Sequence, residues 1–512
     1  MSRDTRTNDT KSQESNQPID TKSQESNQPI DEELADSRRT SMSSLPATFQ
    51  KILRYGRVEA RGIEPIPIEE RTSTRYYNIA TIWTSVNTNI IGITFGMLGP
   101  LAYSLSLRDS ALVILFFNIL SCIIPGYLST LGPKTGLRQM IQARYSFGRY
   151  FVSIPVLLNL ATMAGFTVII FITGGQCLAA VSNGTISPNA GIVIIGIISL
   201  VVSFCGFKVL HIYETYAFVV AFIAITITAG CGGAGLAKQS PPPTPATAAG
   251  VLSFGMIVAS YQIPYAGLVS DMSAYFNPKV STWRVFWYTY LGLTTPTILL
   301  MTLGAAIAGA IPNNPAWQEQ YDKYLVGGAL SGMLAPAGGF GKFVLVILAL
   351  TLLGNTCGTF YSITLNFQTL LPWLFHIPRY VFALLITIII VVVSIFAVDN
   401  FFVSIENVVA LIGYWSSQFC AIVIVEDIVF RRRKPEAYDH AAWCDAKRLP
   451  LGIAAMSAGL LAWGLIVPAM NQVYFTGPIA KHTGDIGFEL AFVCSGLLYL
   501  PLRYAEKRLS GR

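Results

Sequence analysis

Along the chain, apolar residues gather in runs of about 20 separated by short polar stretches, the length an α-helix needs to cross the hydrocarbon of a bilayer. Counting these runs gives twelve candidate spans, at roughly 78–103, 110–131, 150–181, 190–207, 212–234, 250–274, 284–311, 340–371, 378–397, 402–430, 450–471 and 486–504. The pattern predicts an all-α integral membrane protein whose first partner is the lipid bilayer. Before the first run the chain is polar, rich in Ser, Thr, Asn and Gln, and the segment Thr10 to Asp20 is repeated residue for residue as Thr21 to Asp31. Such a stretch buries too little apolar surface to fold alone, and two copies are too few for a stacked repeat array. Residues 1–75 therefore read as a disordered tail carrying an 11-residue tandem duplication. The first run long enough to insert begins only near Tyr77, so a signal peptide is not expected and the amino terminus should stay cytosolic.

Basic residues test the span count, because Lys and Arg should collect in alternate, cytosolic loops. They do so at Arg71 and Arg75, at Lys134, Arg138, Arg144 and Arg149, at Lys208, at Lys279 and Arg284, and at Arg379. Further along they form the basic loop 431–449, with Arg431, Arg432, Arg433, Lys434, Lys447 and Arg448, and then Arg503, Lys507 and Arg508. The opposite loops hold little beyond Arg108, Lys238, Lys323 and Lys481. An even number of spans follows, with both termini cytosolic, the last two spans over 450–505 and a short cytosolic tail at 506–512. The sequon Asn183-Gly-Thr185 falls in an outside loop, where glycosylation is permitted.

Composition agrees with this reading and excludes others. Of 512 residues, 52% are hydrophobic and only 12% charged, about half the charged share of a soluble domain. The net charge of +7 is dispersed among the ends of apolar runs, so no basic patch for nucleic acid is expected. The 8 cysteines lack the paired spacing of a metal site or a disulfide framework. Neither a phosphate-binding loop, a nucleophile elbow nor a zinc-ligand pair is present, which argues against an ATP-driven pump and against an enzyme; no metal or cofactor is expected.

Two spans carry residues that a plain lipid-facing helix does not need. Span one contains Trp83-Thr-Ser85-Val-Asn87-Thr-Asn89-Ile-Ile-Gly92 and continues through Gly96 to Gly99-Pro100, while span six contains Ser260-Tyr-Gln262-Ile-Pro264-Tyr265-Ala-Gly267. Unwound backbone at membrane depth must line a cavity, because its freed N–H and C=O groups find no partner in lipid. Spans one and six occupy corresponding places if 76–235 and 248–430 are two inverted halves of five helices each. Interrupted segments at matching positions are a pointer to a transporter's substrate site, whereas either break alone is equally well explained by close packing of small residues.

Ionisable residues within the spans are Glu214, Asp271, Glu406, Glu426 and Asp427. Each is costly in the membrane unless it faces protein or water, which makes them functional candidates. Glu426 and Asp427 adjoin the basic run Arg431 to Lys434 and read as an interfacial ion pair. Asp271 fits a helix end, a gate pair or a coupling site, and Glu214 fits either a loop ion pair or a proton carrier; spacing alone leaves both open. A flat heterocycle needs ring faces for stacking and amides for its edge, and Phe166, Tyr265, Asn355 and Gln368 are best placed to supply them.

Several segments resemble the fungal purine-cytosine permease branch of the nucleobase:cation symporters. They are Gly132-Pro-Lys-Thr-Gly-Leu-Arg-Gln-Met140 with Arg144-Tyr-Ser-Phe-Gly148, Gly174-Gly-Gln176, His211-Ile-Tyr-Glu214, Ser270-Asp271, Glu406-Asn407 with Leu411-Ile-Gly-Tyr-Trp415, and Gly477-Pro-Ile-Ala-Lys481 followed by Gly487-Phe-Glu-Leu490. The resemblance runs from span one to the carboxy terminus in the family's order. It implies a leucine-transporter-type fold with five-plus-five inverted repeats and two extra helices, and proton-coupled uptake of purine bases and cytosine at the plasma membrane. Ser85 and Glu214 match positions the family uses in binding and transport, with Asn87 beside the first. Phe166 and Tyr265 stand where the family stacks the base on tryptophans, Ile170 stands in place of an asparagine, and Asn355, Thr356 and Gly358 stand in place of two asparagines and a proline. Because edge-reading amides are lost, another flat heterocycle, such as a vitamin B6-like compound or a nucleoside, is the alternative substrate, and an amino-acid or amine permease of the same fold ranks below it. Glu214, with Asp271, is the expected seat of proton coupling or gating. Thr359 and Ser362 leave a sodium site conceivable, ranked below the proton.

Overall fold

The computed structural model describes residues 63–204, 206–370 and 379–512; the duplicated tail lies outside them, as does the side chain of Glu214. The first helices are α1 (Asn78–Asn87), α2 (Ile90–Tyr103), α3 (Leu107–Ser121), α4 (Ile123–Ser129), α5 (Leu131–Thr135), α6 (Gln139–Phe151), α7 (Ser153–Val181), α8 (Pro188–Phe204) and α9 (Gly206–Leu236). They are followed by α10 (Ala248–Gln262), α11 (Val269–Ser273), α12 (Thr282–Ala310), α13 (Pro315–Leu334), α14 (Gly338–Leu370), α15 (Arg379–Ala397) and α16 (Phe401–Val425). The chain closes with α17 (Ile453–Ala469), a hairpin of β1 (Asn471–Gln472) and β2 (Phe475–Thr476), α18 (Ala480–Thr483) and α19 (Gly487–Ser510).

Among the described residues six stretches are long and apolar enough to cross a membrane: Leu107–Thr135, Ser153–Val181, Ala217–Leu236, Thr282–Asn313, Pro315–Leu370 and Val381–Phe430. Ile90–Tyr103, Pro188–Val202 and Ile453–Ala469 are shorter apolar helices. The runs read as spans one and six fall short because each is divided. In the first, Asn89 adopts extended backbone between α1 and α2. Its side-chain oxygen accepts from the N–H of Ile91 (2.8 Å) while its amide nitrogen donates to the carbonyl of Val86 (2.6 Å). One asparagine thus satisfies an orphan donor of the following helix and an orphan acceptor of the preceding one. In the second, α10 ends at Gln262, a 3-10 turn runs from Ile263 to Gly267, and α11 resumes at Val269. Pro264 has no N–H to continue an α-helical ladder there.

The helix α13 corrects the sequence reading, which left 312–339 as an outside loop. It is kinked at Tyr324 and Leu325, and only its second half, from Val326 to Leu334, is apolar and buried. That run alone is shorter than a membrane crossing, and it is with α14 that it forms the apolar stretch Pro315–Leu370. It packs on α7, where a Cβ on Gly327 would come within 2.4 Å of the Gln176 backbone.

Two groups of helices pack among themselves. One joins α1 and α2 with α3, α10 and α12; the other joins α7 with α8, α14 and α15, and α16 lies against α10 and α7. Within the first group α2 and α12 meet backbone to backbone. A Cβ on Gly96 would lie 1.9 Å from the Met301 carbonyl oxygen, and a Cβ on Gly304 would lie 2.0 Å from that of Ile93. Glycine on both helices is what permits this approach.

At the end of α16 the chain forms a π-helical turn, Glu426–Phe430, and the expected ion pair is present. Glu426 pairs with Arg431 at 2.9 Å and with Arg503 of α19 at 3.1 Å, and accepts from the Tyr499 hydroxyl at 2.9 Å. Asp427 accepts from the hydroxyls of Tyr127 and Tyr438 at 2.5 and 3.0 Å. Burial among these carboxylates pushes the Tyr438 hydroxyl well above its ordinary pKa. Nearby, Arg144 donates to the carbonyls of Trp443 and Thr369, tying the end of α14 to the 431–449 loop. Burial, with Arg149 beside it, brings its pKa down to about 10.

Candidate functional site

The two breaks face one another across a cluster of aromatic rings. Trp83 of α1 meets Tyr265 of the unwound turn at 5.5 Å between centroids, edge to face, and Tyr265 lies 6.3 Å from Tyr261 at the end of α10. Tyr261 contacts Phe95 of α2 at 4.8 Å and Phe166 of α7 at 6.0 Å, and Phe95 stacks on Phe166 at 6.1 Å. Edge-to-face and offset contacts at these spacings are the favoured aromatic geometries. Phe166 and Tyr265 keep part of their surface exposed, whereas Trp83 and Tyr261 are buried. The side chains of Asn355 and Tyr261 face the Tyr265 hydroxyl.

Polar groups around the rings divide into those used up by the fold and those left over. Asn87 donates to the carbonyl of Trp83 (3.1 Å) and accepts from Thr297 of α12 (3.3 Å), so its amide serves the helix contact. Thr356 is buried and donates within its own helix to Leu352. Asn355 reaches the Val86 carbonyl at 3.4 Å and accepts from Thr359 at 3.3 Å, which places it against the break of the first span. Ser85 is buried on α1 two residues from Trp83. By contrast, among the described residues the indole nitrogen of Trp83, the side-chain oxygen of Gln262 and both amide atoms of Asn159 are buried without a hydrogen-bond partner. Buried polar groups in this condition are costly to the fold and each calls for a reason; others lie away from the rings, as on Gln139 and Gln176.

Two predicted residues lie apart from the rings. Gln368 follows Asn355 by thirteen residues on α14, about 20 Å along the axis at 1.5 Å per residue. Asp271 sits on α11, where its carboxylate accepts from the N–H of Gln139 at 2.8 Å and its carbonyl accepts from Arg138 at 2.9 Å. It therefore caps α6, and Ser273, donating to the Ser129 carbonyl at 2.8 Å, reinforces the same junction. Trp83, Phe95, Tyr261, Gln262 and Asn159 were not singled out as ligand-facing in the sequence. All but Asn159 lie in or beside the interrupted motifs, and Asn159 precedes Phe166 by seven residues, two helical turns on one face.

A predominantly helical membrane protein whose interrupted helices meet at a ring-lined, amide-bearing centre has the architecture of a secondary transporter. The solved structure of Mhp1, a nucleobase-cation-symport-1 family transporter in a closed conformation with bromovinylhydantoin bound, shares this fold. It aligns with a TM-score of 0.65 at 17% identity over 88% of this chain and 96% of that one. The chain belongs to the family of permeases for cytosine/purines, uracil, thiamine and allantoin, whose sequence profile matches residues 65–443. A purine-cytosine permease of Emericella nidulans is 34% identical over 91% of this chain and 93% of its own length. A vitamin B6 transporter of Saccharomyces cerevisiae is 28% identical over 89% of this chain and 88% of its own. The protein is thus a multi-pass membrane permease and not an enzyme.

Proposed function

We propose that this chain is a proton-coupled symporter that carries purine bases or cytosine across the plasma membrane into the cell. The observation that carries the reading is the pair of partly exposed rings, Phe166 and Tyr265, at the meeting point of the two helix breaks, with the Asn355 amide beside the Tyr265 hydroxyl. A planar base slots between such faces while an amide reads its edge. Ser85 lines the same region. Twelve spans with two inverted halves at 76–235 and 248–430, and both termini cytosolic, give the frame. Transport proceeds by alternating access, the group of α1, α2, α3, α10 and α12 rocking against that of α7, α8, α14 and α15. Glu214 carries the coupling proton, in preference to sodium, and Asp271 acts in the cytosolic gate through its hold on α6. Gln368 contributes from the cytosolic end of α14.

A second reading is favoured by a specific observation. Ile170 and Thr356 present no free amide, Thr356 being turned into its own helix, and a vitamin B6 transporter is among the relatives. A flat heterocycle with fewer edge contacts, such as a pyridoxine-like vitamin, fits that simplification. The experiment is uptake of radiolabelled cytosine, adenine and pyridoxine in acidic and neutral medium by cells lacking their own carriers, with wild type beside Glu214→Gln. Saturable base uptake that rises in acid and disappears in the variant supports the first reading. Uptake confined to pyridoxine supports the second, and uptake that is flat across external pH overturns proton coupling.

A further inference from the structure

Asn159 is the polar residue that the reading so far leaves unused. It lies on α7, is 1% exposed, and among the described residues neither its amide nitrogen nor its oxygen has a hydrogen-bond partner. Its neighbour is the interrupted span: a Cβ on Gly267 would sit 2.7 Å from the Asn159 oxygen and 3.5 Å from its nitrogen. The glycine therefore leaves room for the amide, two residues beyond the ring of Tyr265. Thr162, on the following turn, is already engaged, accepting from the Trp415 indole at 3.0 Å. Asn159 itself precedes Phe166 by seven residues, about 10 Å along α7 toward the basic loop 131–149.

An asparagine amide presents one donor and one acceptor side by side, the complement of a lactam or amidine edge. An amide buried for packing alone would be better replaced by an apolar group, because an unsatisfied donor and acceptor both cost stability. We propose that Asn159, facing the unwound turn at Gly267, is a second substrate subsite, below the aromatic site, that takes the hydrogen-bonding edge of the heterocycle on its way to the cytosol. The inference rests on the transport reading above and adds to it a station on the release path. Substrate first held between Phe166 and Tyr265 shifts toward Asn159 once the cytosolic side opens. The subsite selects ligands with a donor and an acceptor on adjacent atoms.

The test compares affinity from the two sides of the membrane for the full-length chain, in cells for uptake and in inside-out vesicles for the cytosolic face. Asn159→Ala should leave the external KM within about twofold of wild type and raise the cytosolic-face KM about tenfold, the loss expected of one or two hydrogen bonds to a ligand. Gly267→Ala, which crowds the amide, should act in the same direction. Asn159→Leu separates binding from folding: it should raise the thermal unfolding midpoint while reproducing the loss of cytosolic affinity. A leucine variant with wild-type affinity on both faces, or equal changes in KM on both faces for Asn159→Ala, overturns the subsite. Wild-type chain that carries no base but carries another heterocycle overturns the substrate reading instead, and the same two-sided comparison is then made with that compound.

Discussion

Two polar interiors of this permease differ in one respect. Around Glu426 and Asp427 every carboxylate oxygen is met, by Arg431, Arg503 and Tyr499 for the first and by Tyr127 and Tyr438 for the second. Around the aromatic cluster, Trp83, Gln262 and Asn159 keep donors or acceptors that no described residue meets. The first arrangement spends its polar groups on itself and ties α16, α19 and the 431–449 loop together. The second keeps them free at the point where two helices are interrupted. In the first the carboxylates serve the scaffold; in the second the unmet groups lie beside the rings where the transport reading seats the ligand.

That contrast can be broken from either side. Removing a partner from the satisfied network leaves buried charge uncompensated, so Glu426→Ala should cost about 3–5 kcal/mol of stability, seen as a collapse of the thermal transition in detergent and loss of surface expression. Gly96→Ala should follow, at about 1–3 kcal/mol or more, because its Cβ cannot coexist with the Met301 carbonyl at 1.9 Å without α2 and α12 separating. In the unsatisfied region the order of effects reverses. Phe166→Ala should leave the melting temperature nearly unchanged and raise KM by roughly ten- to a hundredfold, the worth of about 1–3 kcal/mol per stacked ring, while Phe166→Trp retains binding. The smallest effect concerns Asp485, buried in the loop before α19 and accepting from Tyr414, Gln472, Asn471 and Gly487. Its carboxyl is held above the ordinary pKa chiefly by burial. A folded pKa above the unfolded one favours the folded state in acid, and that contribution fades as pH rises through the raised value. Asp485→Asn should therefore flatten the decline in stability from acid toward neutral pH, leaving the thermal midpoint in acid little changed and raising it modestly at neutral pH.

Much of this was legible before any coordinates. Local signals were reliable: Asn89 and Pro264 announce breaks by their own chemistry, and Glu426 announces its pairing by adjacency to Arg431. Phe166 and Tyr265 stand out in the sequence through the family resemblance, and the structure sets both rings in one aromatic cluster. What failed to show depended on tertiary partners. Nothing in the sequence tells that Asn87 spends its amide on Thr297, or that Thr356 turns into its helix, since either could equally have faced a cavity. Gln368 reads as an edge reader by residue type alone, and its register along α14 sets it between three and four turns, about 20 Å, from Asn355 toward the cytosolic end. The helix α13 was missed because its apolar half is shorter than a membrane crossing, and Asn159 because a lone asparagine in an apolar run is uninformative until its neighbours are known.

The double role of Asn89 bears on how such a molecule can move. Because one side chain binds both the carbonyl of Val86 behind it and the N–H of Ile91 ahead, the junction between α1 and α2 carries its own solvation wherever it goes. A swing of the first half-helix past α14 then exchanges the Asn355 contact to that same Val86 carbonyl, while the bonds inside the junction stay with it. The barrier to articulation at this point is then set by the contacts made to neighbouring helices, those of Val86 with Asn355 and of Asn87 with Thr297 among them.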